Sequence, residues 1–239
     1  MARMIALLAL SGLICAGWTV TSAESVLPPV SIAATPAEVQ SAARRIISLF
    51  ADAVRESLDP AASPPSIEVR NTPNLAYFDH RSWTIVLAHW PTLDRAARGF
   101  FLELTETAED AAALFVGLFN EFLVAHEMAH WLYRTLEIER DRYASEREAN
   151  DIAVAFFATS AEGEARLLAL RPRLEAALDR LSDPTPPGAD EAQFFNDQYA
   201  ILARNPHLYG YYQFRFILDS IARRAQLDLT SLIVDASGR

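Results

Sequence analysis

Two histidines four residues apart, with a glutamate directly after the first, stand in the segment Val124-Ala125-His126-Glu127-Met128-Ala129-His130-Trp131-Leu132. On an α-helix His126 and His130 lie one turn apart on the same face, from which two imidazole nitrogens can reach one metal ion. Glu127 puts a carboxylate beside the first of them, where it can act as general base toward a water activated by that metal. Apolar neighbours on both sides predict a buried helix with one polar notch. So short a string also arises by accident, with both histidines simply buried in a core. The rest of the chain has to supply the missing parts.

A catalytic zinc centre takes three protein ligands and leaves a position open. The three-histidine metzincin pattern is excluded, because Tyr133 stands where it needs glycine and Leu136 where it needs histidine. The remaining candidates are Glu137, Glu139, Glu146 and Glu148. The first two fall at the end of the motif helix or in the turn after it, from which reaching back is awkward. The next helix, expected from about Asp141 to Thr159, turns Ala149, Ile152, Ala153 and Phe156 inward. Glu146 lies on that stripe, three residues before Ala149 and seven before Ala153, whereas Glu148 is rotated off it. An inward carboxylate needs a partner: a metal, or a salt bridge to Arg134 or Arg142. Asn150, one turn beyond Glu146, is placed to accept the free N–H of a ligating histidine.

His126-Glu127-x-x-His130 followed by Glu146-x-x-Ala149-Asn150-x-x-Ala153 resembles the gluzincin arrangement of zinc metallopeptidases, HExxH then ExxA(D/N)xxA. With Asn74-Leu75-Ala76-Tyr77 leading to a strand that ends near Leu87, the chain is also similar to an uncharacterised bacterial metallopeptidase family, DUF4344. The resemblance spans about residues 66 to 160. It implies a zincin-like fold, Zn2+ held by His126, His130 and Glu146, Glu127 as general base, and a peptide or protein substrate. Asn150 stands where such enzymes usually carry Asp. Gluzincins often add a Tyr or His from the C-terminal part to stabilise the oxyanion. From the cluster His207, Tyr209, Tyr211 and Tyr212, His207 and Tyr211 are the nominees, with aromatic packing between helices as the competing reading.

These residues need elements to hold them. Thr35-Pro36-Ala37-Glu38 predicts a helix start, with Val39, Ala43, Ile46, Phe50 and Val54 at helical spacing up to Asp59-Pro60. Ser66 to Val69, Ala76 to Phe78 and Trp83 to Ala88 read as three short strands, the last two joined by the turn Asp79 to Ser82. They predict a small β-meander packed on the motif helix, with Trp83 to Ala88 as the edge where a peptide substrate would add by β-augmentation. His80 at the turn and His89 at a strand end read as surface or packing residues. Thr107 caps one long helix to about Leu136. Glu164 to Leu181 is helical, with Pro172 kinking or splitting it. Residues 182 to 188 are the clearest linker, and helices from about Glu191 to Arg204 and Tyr209 to Gln226 follow. The fold class expected is α+β, with a mainly helical C-terminal part. Residues 24–181 form the zincin-like domain, and 182–239 a helical extension packing on it.

At 239 residues, 51% hydrophobic and 10% aromatic, the chain has ample material for one core. Arg3, the apolar run Ile5 to Ala16 and Thr21-Ser22-Ala23 read as an export signal over residues 1–23. The signal predicts a periplasmic or secreted protein, with no membrane span in the mature chain. The single cysteine, Cys15, would leave with it, so metal ligands are restricted to His, Asp and Glu. A net charge of −10 disfavours nucleic acid and anionic lipid as partners. A non-catalytic envelope protein keeping the fold as a binding or chaperone-like module is the alternative. Its expected mark would be loss of Glu127, which is present.

Overall fold

The computed structural model describes residues 27, 29–58 and 62–237; the expected leader and the Asp59-Pro60 stop lie outside them. Thr35 and Glu38 form a reciprocal capping box that starts helix α1 (Pro36–Ala53), whose Val39, Ala43, Ile46, Ile47 and Phe50 are buried. Three strands follow, β1 (Ser66–Val69), β2 (Ala76–Asp79) and β3 (Thr84–Leu87). Helix α2 (Arg95–Glu103), capped by Asp94, was not foreseen in the sequence. Helix α3 (Ala108–Phe115) then leads through a π-helical stretch, Val116–Phe122, into the motif helix α4 (Leu123–Thr135). The C-terminal part is α5 (Arg142–Ala158), α6 (Ala161–Leu178), α7 (Glu191–Leu202), α8 (Pro206–Ala222) and α9 (Leu229–Ser237). The protein is thus mixed α+β and mostly helical, with one three-stranded sheet.

The sheet is not a meander. Its order is β1-β3-β2, with β1 parallel and β2 antiparallel to β3. The chain between β1 and β2 crosses the end of β3, where Asn71 ties it down by accepting from the His89 amide and donating to the Thr92 carbonyl. β3 is therefore central, and Ile85, Val86, Leu87 and Ala88 are all buried, as expected of a strand covered on both faces. The edge near the motif helix is β2, which packs on α4. Alternation within each strand reveals which face is buried but not which neighbour it pairs with, so the order was not legible.

α4 lies under α1, β2 and α5, and α8 packs on α5 and α6. The run Ala108–Thr135 is long and apolar enough to cross a membrane by composition, and its side chains go into this core: Phe115, Phe122 and Trp131 are fully buried. Pro172 neither splits nor ends α6. It sits on the exposed face, where the carbonyl that loses its amide partner stays open to water. A second apolar cluster, around Phe195, Leu202, Tyr212 and Phe216, joins α7 to α8.

Gly163 marks the corner between α5 and α6. A Cβ there would stand 2.0 Å from the Phe157 carbonyl oxygen, which is backbone and cannot step aside. Gly163→Ala is expected to cost about 3 kcal/mol of unfolding free energy, read from urea denaturation. An unchanged midpoint would contradict this close approach.

Candidate metal centre

The helix carrying the motif is aimed by the wide turn before it. In that π-helical stretch the buried Asn120 amide donates to the Ala88 carbonyl at 2.9 Å, fastening it to the end of β3. Glu121 accepts from the Val30 amide at 2.8 Å and pairs with Arg166 at 2.9 Å. Wide helical turns of this kind commonly sit beside functional sites. Downstream, His126 and Glu127 are buried and His130 is partly open.

α5 brings Glu146 against them. His126 Nε2 lies 3.1 Å from His130 Nε2 and 3.3 Å from Glu146 Oε2, and His130 Nε2 lies 3.9 Å from Glu146 Oε1. Ligand atoms around a tetrahedral zinc at ~2.0–2.1 Å stand ~3.3 Å from one another, so the three groups are spaced to hold one ion. Two imidazoles and one carboxylate also suit zinc by donor type. His126 Nδ1 lies 2.9 Å from Asn150 Oδ1; since the amide oxygen only accepts, Nδ1 carries the proton and the Nε2 lone pair faces the cluster. Asn150 in turn donates to the Glu146 carbonyl at 3.0 Å. Asn150→Ala is expected to weaken zinc binding about 10–100-fold with the fold retained, by competition with a chelating dye. Unchanged affinity would mean that the ring needs no such support.

Charge and burial act together here. Burial would lower the His126 pKa, but the Glu146 carboxylate, helped by Glu127, outweighs it and holds it above the ordinary imidazole value. Burial and then the neighbouring His126 charge push His130 down to about 4. Glu146 would be raised by burial, yet its bond to His126 and the charges of both imidazoles pull it down to about 2. Glu127 is raised to about 7 by burial, although the His126 charge and the Phe78 amide oppose the rise. That amide donates to Glu127 Oε2 at 2.8 Å from the free edge of β2.

The other glutamates play different parts. Glu148 accepts from the Tyr133 hydroxyl at 2.8 Å and from Arg140, a structural tie between α4 and α5. Glu137 and Glu139 are exposed. Among the described residues no ion pair joins Glu146 to Arg134 or Arg142. His80 is exposed, and His89 is a buried packing residue bonded to the Ala34 carbonyl at 2.7 Å.

The two C-terminal nominees are not brought to this group. His207 is exposed, pairs with Glu103 at 3.0 Å and packs edge-on against Phe100. Tyr211 bonds Asp183 and lies under Arg215. The face of α8 turned to α5 is instead that of Tyr209 and Gln213, two residues away and hence on the other side of the helix. Gln213 Nε2 donates to Glu146 Oε2 at 2.8 Å and to the Tyr209 hydroxyl at 3.0 Å. Burial, then the Glu146 charge, raises the Tyr209 pKa well above its usual value, so its phenol stays protonated. Tyr199 on α7 bonds Tyr209 and is raised by burial, then by Glu146. The available signal for Gln213 was one amide within the aromatic run of α8, one turn after Tyr209.

Comparison of the chain with family models, with curated proteins and with solved structures returns no match. What the fold and site define is a mixed α+β protein with a buried His126–His130–Glu146 group able to bind a metal ion.

Proposed function

We propose that the protein is a zinc-dependent metallopeptidase of gluzincin type on a zincin-like scaffold, acting outside the cytoplasm. The observation that carries this reading is the convergence of His126, His130 and Glu146 with Glu127, itself buried and anchored to a free strand edge. Zinc held by His126, His130 and Glu146 would polarise the scissile carbonyl and acidify a water. Glu127 would take a proton from a water as the oxygen of that water adds to the carbonyl carbon. As the C–N bond breaks, Glu127 returns the proton to the departing amine. A carboxylate held near neutrality by burial suits both directions of that transfer.

The peptide adds along β2 rather than β3, since β3 is central and β2 is the edge next to Glu127. Tyr209, a neutral phenol beside Glu146, takes the oxyanion-donor role for which His207 and Tyr211 were nominated.

The test is hydrolysis of a mixed peptide pool by purified protein with one equivalent of zinc, read by mass spectrometry. Cleavage should stop with a chelator and return on adding zinc. Protein that takes up no zinc, or zinc-loaded protein that cuts nothing, would sink the proposal.

A further inference from the structure

Arg142 opens α5 one helical turn before Glu146, so the two share a face, with Ser145 between them reaching His130 Nδ1 at 3.4 Å. Its guanidinium carbon stands 5.0 Å from the centre of the Tyr199 ring. From there a chain of contacts leads inward: Tyr199 to Tyr209 with ring centres 6.1 Å apart, Tyr209 to Gln213, and Gln213 to Glu146.

Arg142 is also unspent. The other arginines on α5 and α8, and the one that caps α8, have carboxylate partners: Arg147 with Asp219, Arg215 with Glu191 and Arg223 with Asp151. Arg142 is exposed and, among the described residues, has neither an ion pair nor a hydrogen bond, in a chain of net charge −10. A guanidinium held over an aromatic ring without a hydrogen-bond partner keeps its N–H groups available, and their fork is the shape that grips a carboxylate through two bonds.

We propose that Arg142, steadied by Tyr199, is the residue that reads a carboxylate of the substrate, so that the enzyme selects peptides with an acidic side chain or the free C-terminus at a fixed distance from the cut bond. This rests on the peptidase reading above. The carboxylate docks on the α7–α8 side of the metal group and makes a charge-assisted pair with the guanidinium.

The experiment uses fluorescein-labelled decapeptides of one sequence, with Glu or Gln at each position in turn and with free or amidated C-termini. Binding is measured by polarisation on zinc-loaded Glu127→Gln protein, and cleavage on wild type. Both are repeated with Arg142→Gln and Arg142→Lys, whose zinc content and Tm are checked against the parent. Peptides with the carboxylate correctly placed should bind about ten-fold tighter than their amide counterparts. That preference should vanish in Arg142→Gln and return in part in Arg142→Lys. Loss on amidation identifies the C-terminal carboxylate; loss on Glu→Gln at one position identifies an internal acidic residue. A preference unchanged in Arg142→Gln, or no preference in the parent, overturns the assignment whether or not the peptides are cut. Carboxylate-dependent binding without any cleavage by wild type would keep Arg142 in this role and overturn the peptidase reading instead.

Discussion

Glu127→Gln protein is expected to carry zinc at the wild-type ratio while its turnover falls by roughly three orders of magnitude. Glutamine preserves the shape of the side chain, and its amide oxygen can still accept from the Phe78 N–H that anchors Glu127 at 2.8 Å. What it cannot do is take a proton from water. Because the residue adjoins His126 without being one of the three clustered ligand groups, zinc retention separates loss of the base from loss of the centre. The loss should appear in kcat with KM nearly unchanged. Wild-type turnover in this variant would remove Glu127 from the proton transfer.

Glu146→Ala is expected to lose zinc affinity by more than about a hundred-fold, and Glu148→Ala to keep it. The two carboxylates are two residues apart, but one faces His126 and His130 and the other is bound by Tyr133 and Arg140. Glu148→Ala should therefore show in stability, not in metal content. In wild type, zinc at 100 times its Kd adds about 2.7 kcal/mol, visible as a higher Tm that is absent in Glu146→Ala. The gain depends on pH in a fixed direction. Zinc needs the His126 lone pair, and the raised pKa of His126 means that a proton competes for it at a higher pH than for an ordinary imidazole. The zinc-induced rise in Tm thus shrinks as pH falls from about 8 to about 5. A rise independent of pH, or equal in both variants, would place the ion elsewhere.

The part of the site that was legible lay within single helices. Spacing alone put His126 and His130 on one face and separated the inward Glu146 from Glu148, because burial repeats with the helical period. Asn150 followed from the same stripe. Relations between elements were not legible. Four-residue strands carry too little pattern to reveal that β1 pairs with β3, so the sequence pointed to Trp83–Ala88 as a sheet edge where the structure makes it the centre. The π-helical stretch of Val116–Phe122 depends on Asn120 finding the Ala88 carbonyl, a tertiary bond with no local signature. On α8 the nominees were picked for residue type, and the face that meets α5 turned out to be Tyr209 and Gln213.

The bond from Gln213 to Glu146 spans 67 residues of sequence, and that from Phe78 to Glu127 spans 49. No short piece of the chain supplies all the groups that surround these ligands. The three ligand groups come from α4 and α5, and the surroundings of Glu146 are complete only when α8 lies on α5. A chain threaded through a narrow channel in extended form would carry the full set of parts and none of their chemistry. Topology thus sets a condition on assembly: helices made last finish the surroundings of a carboxylate made much earlier.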